Sequence, residues 1–187
     1  MAAGDTSLSI CSDALILLGA APISSFTEGS DAAQACDRLY PDVRDTLLSN
    51  YLWSWSVQKQ QLGRLSTTPV DEWKYAYQLP GDMLSGVIAL FQSPGLGQLP
   101  VRYGWEIYGD QVYTNFEQVF IDYQASVAES KMPNYFVRLL RTAVASELAF
   151  VITDQVAKAD YFRALAYGSP ADSGRGGLMR EAMNVDG

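Results

Sequence analysis

The chain has 187 residues, 48% of them hydrophobic and 12% aromatic, with a net charge of −8 and a pI near 4.4. A chain this long buries roughly 70% of its unfolded surface and needs no staples, and no apolar run approaches the ~20 residues of a membrane span. With no histidine the commonest metal ligand and general base is missing, two cysteines make no disulfide framework, and the acidity argues against wrapping nucleic acid through phosphate contacts.

The opening MAAGDTSLSI lacks the basic and apolar regions of a secretory signal, so the product is expected to be cytosolic when made. Thr6 or Ser7 is placed to cap a first helix carrying Leu8, Cys11, Leu15 and Leu18 on one face, stopped by Gly19 and Pro22. Ser30 is placed to cap a second, with Ala33, Cys36, Tyr40, Val43, Leu47 and Tyr51 spaced by three or four. That phase runs unbroken through Pro41, which predicts one kinked helix rather than two. Cys11 and Cys36 both fall on inward faces, as small reduced core residues do.

At Trp53 the period changes. WSWSVQKQ alternates, as do Trp73, Tyr75, Tyr77 and Leu79, which predicts half-buried strands separated by the loop LSTTPVDE. MLSGVIALF reads as a strand, QSPGLGQLP as a loop, VRYGWEIYGDQVYTN as a hairpin turning at Gly109-Asp110, and QVFIDYQ as a further strand. One small antiparallel sheet of about four to six strands is expected.

Helical character returns at Pro133. Through Thr153, Phe136, Leu139, Leu140, Ala143, Val144, Leu148, Phe150 and Val151 lie on one broad arc, with Arg138, Thr142, Ala145 and Ala149 opposite. A last helix is expected from a Thr153 cap, with Val156, Ala159, Phe162 and Ala166 inward, ending at Gly168-Ser169-Pro170. ADSGRGG is flexible by composition, and LMREAM forms one terminal turn or two. The fold class is therefore α+β: a bundle of about four helices (1–52 and 127–167), an inserted antiparallel β-domain (53–126) and a flexible C-terminal tail (168–187).

Several of these stretches, taken together, resemble a known family. They are Leu18-Gly19, Pro22-Ile23, Cys36, Tyr40-Pro41, Val43-Arg44-Asp45, Leu47-Leu48, Trp53 to Trp55, Tyr77 to Pro80, Gly104 to Asn115, Asp122-Tyr123 and Pro133 to Ile152. Their order over about residues 8 to 167 is similar to that of the tail tubular protein A family, the head-to-tail adaptor (connector) proteins of short-tailed bacteriophages. The resemblance implies a twelve-fold homo-oligomeric ring in the virion, assembled in the host cytoplasm. Such a ring sits under the portal protein, extends the DNA channel and carries the tail nozzle or tube. The chain departs from the family at SPADSGRGG, where many relatives continue a long helix.

Candidate sites follow. The hairpin residues Trp105, Tyr108, Gly109 and Asp110 are expected to meet the tail nozzle. Arg175, Leu178, Met179, Arg180 and Met183, in a tail too polar to pack alone, are expected to order on the portal, with a frayed terminus as the alternative. Arg44 and Glu147 each fall inside an apolar arc, which suggests one inter-helix ion pair; a catalytic acid at Glu147 or a polar interface contact are the alternatives. Asp82, Glu106, Asp110 and Asp122 include no demanding pair, although two carboxylates about 5 to 9 Å apart would suit a glycan hydrolase. A minor tail-completion protein of other stoichiometry suits the same composition. Gly174-Arg175-Gly176-Gly177 has no following Lys-Ser/Thr and is no phosphate loop, so no cofactor, metal or catalytic residue is expected. DNA is expected to pass an acidic lumen without sequence readout.

Overall fold

The structure, a computed structural model, describes residues 5–95 and 97–187. Met1–Gly4, the first residues of the expected helical segment 1–52 and of the stretch expected to carry no secretory signal, and Leu96 of the QSPGLGQLP loop lie outside the described residues. The chain divides into two compact units, one of residues 1–55 and 127–187, the other of 56–126.

The first unit holds five helices among the described residues. Helix α1 (Ser7–Leu17) starts in a capping box: the Ser9 backbone N–H donates to the Thr6 hydroxyl at 3.1 Å, and the Thr6 N–H to the Ser9 hydroxyl at 2.9 Å. It ends before Gly19, whose φ of +78° is a conformation glycine takes without strain. Helix α2 (Asp31–Ser49) is capped by Ser30, runs through Pro41 and buries Ala33, Cys36, Tyr40, Val43 and Leu47. The two thiols meet in the core as free cysteines. Their mutual hydrogen bond, then burial, pushes the Cys11 thiol far above its ordinary value.

The connection into α2 is organised by Glu28, whose carboxylate accepts from the Ser24 N–H and hydroxyl, both at 2.8 Å, and from the Ser30 hydroxyl at 2.7 Å. These bonds, the Ser24 N–H first, hold its carboxyl down at about 2 against an ordinary 4.5. A folded-state value below the unfolded one stabilises fully above the unfolded value and is lost as pH falls towards the folded one. Glu28→Gln is therefore expected to flatten the fall in melting temperature between about pH 4.5 and pH 2; an unchanged acid limb would rule this role out.

Helix α3 (Asn134–Thr153) follows Pro133 and buries 11 of its 20 residues, packed by α1, α2, α4 and α5. That many neighbours cover more than the expected arc. Thr142, Ala145 and Ala149, expected opposite the core, are buried, the Thr142 hydroxyl donating to the Arg138 carbonyl at 2.9 Å. Phe150 and Val151, expected inside, are 54% and 60% exposed. Helix α4 (Val156–Tyr167) begins after Asp154, at φ +54°. Its cap position is Gln155 rather than Thr153, whose hydroxyl donates back to the Ala149 carbonyl at 2.6 Å, and Val156 is exposed instead of facing in.

The expected flexible tail is ordered. A short 3-10 turn (Pro170–Asp172) leads into helix α5 (Gly177–Asp186), which buries Leu178, Met179 and Ala182 against α3 and α4. Trp53 to Trp55 is no strand either. Ser54–Ser56 is a 3-10 turn, and Trp53 is a fully buried member of the helical unit.

The second unit contains β1 (Val57–Gln61), β2 (Tyr75–Gln78), β3 (Met83–Phe91), β4 (Trp105–Tyr108), β5 (Gln111–Thr114) and β6 (Phe120–Ala125). In place of one sheet there are two, antiparallel and three-stranded, ordered β1-β6-β3 and β2-β5-β4. The physical reason is a shared core: Leu90, Ile121 and Tyr123 from one sheet and Tyr77 and Val112 from the other form one buried cluster. Two inner faces close over apolar residues that a single sheet would leave wet on one side. No helix among the described residues is long and apolar enough to cross a membrane.

Candidate functional site

The β4–β5 hairpin is paired in register from Trp105↔Thr114 to Tyr108↔Gln111, so Gly109 and Asp110 form its two-residue tip. Gly109 has φ +61°, as a tight hairpin turn demands. Asp110 is tied to the end of β2: the Gln78 side-chain amide donates to its carboxylate at 2.8 Å and to its carbonyl at 3.0 Å. Tyr108 is half exposed, stands edge-on to Tyr113 at 5.2 Å between centroids, and donates its hydroxyl to the Glu106 carboxylate. That hydrogen bond, more than desolvation, pushes the phenol up to about 12. The tip is thus a pre-ordered polar and aromatic surface. Trp105 is not part of it: its indole packs on the β core and donates to the Val101 carbonyl at 3.0 Å.

The five C-terminal candidates separate. Leu178 and Met179 are buried in their own unit and Met183 is half-buried, whereas Arg175 and Arg180 are exposed, Arg180 lying 3.4 Å from Asp172. Polarity and glycine content suggested a mobile tail, yet here the glycines serve close packing. A Cβ on Gly177, whose φ is +51°, would lie 2.4 Å from the Leu165 carbonyl oxygen, and one on Gly168 2.7 Å from Gly176 Cα. The corner is closed by the Ser169 N–H and hydroxyl, which donate to Asp172 at 2.9 and 2.8 Å and hold its carboxyl below the usual range. At the far end, Asp186 accepts from the Ser54 N–H at 2.7 Å and from the Tyr135 hydroxyl at 2.6 Å.

The Arg44–Glu147 pair does not form. Arg44 lies against Asp45 at 2.8 Å and Glu129 at 3.3 Å, while Glu147 is an exposed side chain between buried neighbours on α3, 3.5 Å from Arg163. Glu129 also accepts from the Tyr40 hydroxyl at 3.0 Å, and burial followed by that charge pushes the Tyr40 phenol well up. Sequence reasoning missed Glu129 because it sits in a short 3-10 turn (Glu129–Lys131) with no periodicity to mark it inward.

Each strand-region carboxylate has a partner. Asp82 accepts from the Tyr123 hydroxyl at 3.1 Å, Asp122 meets Lys59 directly across β1 and β6 at 3.4 Å, and Glu106 and Asp110 are bound as described. Among the described residues, no three or more His, Cys, Asp or Glu side chains are grouped to hold a metal ion. Compared with known proteins, the chain matches no protein-family model and no curated sequence.

Proposed function

We propose that this protein is a structural, non-enzymatic head-to-tail adaptor of a short-tailed phage particle. Copies assemble as a ring, twelve by resemblance, beneath the portal, where they extend the DNA channel and carry the tail nozzle. The ring is built in the host cytoplasm and works in the virion, where DNA passes it without sequence readout. The reading rests on the ordered motif set of residues 8 to 167, borne by a helical unit that a β unit interrupts. The exposed tip at Tyr108, Gly109 and Asp110 is the nozzle contact. On the portal side the accessible candidates are Arg175 and Arg180, because Leu178 and Met179 are occupied in their own core.

Mass measurement of the protein alone and mixed with the portal of the same particle tests the reading. A defined multi-copy assembly on the portal is expected; a monomer that never assembles there overturns it. Removing residues 104–113 would take out β4 and the buried Val112, so the tip is better tested by Tyr108→Ala with Asp110→Ser. That variant is expected to keep portal binding and lose nozzle binding, and nozzle binding at full strength would remove the assignment.

A further inference from the structure

We propose that two opposite flanks of the helical unit are the two halves of one self-interface, so that the basic flank of each copy seats on the acidic flank of the next. This rests on the ring reading and names the surfaces that would close it.

The basic flank is a groove of about 460 Å³ whose lining includes Leu17, Arg138, Arg141, Tyr161 and Leu165. Tyr161, Leu17 and Leu165 are exposed around this one groove, and Ile16 beside Leu17 is 56% exposed, a grouping of wet apolar side chains of the kind that marks an interaction surface. Arg138 and Arg141, both in the lining, pair with Glu181 and Asp13 at 3.5 and 2.8 Å, and Lys158, one turn before Tyr161 on α4, donates its ammonium to the Leu18 carbonyl at 2.9 Å. Three basic groups thus face two acidic ones.

The acidic flank is a cavity of about 600 Å³ whose lining includes Glu147, Asp160, Arg163, Tyr167 and Pro170. Phe150 and Val151 follow Glu147 by three and four residues and so share its side of α3, with Asp154 at the helix end. In the lining two acidic groups, Glu147 and Asp160, thus face one basic group, Arg163.

The flanks are opposed by helical phase. Glu147 stands about two and a half turns beyond Arg138, on the far side of α3. Along α4, Tyr161 and Leu165 line the first surface while Asp160, Arg163 and Tyr167 line the second. A two-fold dimer through either flank would bring like charges together, which disfavours it. Seating one flank on the other joins opposite charges, covers both apolar surfaces, and repeats from copy to copy, as a head-to-tail contact must.

The experiment uses the full chain with Tyr161→Asp on one flank and Val151→Arg on the other, each placing a charge that its proposed partner surface repels. Circular dichroism and thermal unfolding verify that each variant folds, and self-association is read by sedimentation and native mass, with and without portal. Each variant alone is expected to lose higher assembly, its pairwise association weakening on the order of 30-fold or more. Mixed one to one, the two variants are expected to regain the association that neither shows alone, because the intact acidic flank of one meets the intact basic flank of the other. Wild-type association is expected to weaken as salt rises. Variants that assemble like wild type overturn the flank assignment and leave the ring reading standing. Self-association through these flanks without any portal binding supports the assignment and overturns the adaptor reading. A wild-type chain that stays monomeric under every condition overturns both.

Discussion

Trp53→Ala is expected to lower the stability of the helical unit by about 3–5 kcal/mol, the usual cost of truncating a buried aromatic to alanine. Trp53 has no exposed surface, stands edge-on to Tyr51 at 4.8 Å and to Phe136 at 5.0 Å, and donates its indole N–H to the Leu47 carbonyl at 3.0 Å. Phe136 also meets Trp55 at 5.0 Å, so one cavity would loosen two further rings. Removing the indole strands the Leu47 carbonyl as well, adding a hydrogen-bond term of about 1 kcal/mol. Against a typical total of about 5–15 kcal/mol, this is a large fraction. Denaturant unfolding followed by far-ultraviolet circular dichroism measures it. Trp53→Phe, which keeps a ring but not the donor, is expected to fall between the two, and a loss under about 1 kcal/mol for Trp53→Ala would contradict the packing described.

The second large effect is expected at Gly177→Ala. An alanine at φ +51° carries about 1–2 kcal/mol of left-handed strain. Its methyl would meet the Leu165 oxygen at 2.4 Å and the Ala164 oxygen at 3.1 Å, both backbone atoms with little freedom to move. Overpacking of that kind adds about 1–3 kcal/mol, so a total of about 2–5 kcal/mol is expected. The cheapest relief is undocking of α5, which exposes Leu178, Met179 and Ala182. Hydrogen exchange should therefore show α5 amides losing protection before those of α3. Gly174→Ala is the matched control: its φ is +75°, but nothing lies within 4 Å of the added carbon, so only the strain term applies, about 1–2 kcal/mol. Equal losses at the two positions would show that the close approach at Gly177 carries no weight. Truncation after Tyr167 is no clean test of portal binding for the same reason, since it also strips buried side chains from the helical unit.

Much of the local structure was legible because local chemistry decides it. Thr6 and Ser30 cap the helices they precede, and Gly109-Asp110 turns the hairpin, as short-range hydrogen bonding and the φ freedom of glycine require. The stretch MLSGVIALF is β3 from end to end. The WSW alternation misled because strict alternation also arises where a 3-10 turn presents two tryptophans to one ring. The Arg44 partner was misjudged because helical phase shows that a charge faces inward without showing what waits there.

By itself the sequence determined the caps of the first two helices, the turn of the hairpin, that Cys11 and Cys36 are core thiols, and that a β segment interrupts a helical one, because these follow from residues a few positions apart. Only the tertiary structure decided that six strands form two sheets, that Glu129 answers Arg44, and that the glycines near the C-terminus pack α5 instead of freeing it. Those outcomes depend on atoms brought together from distant parts of the chain, where space and charge are set by neighbours that no local period encodes.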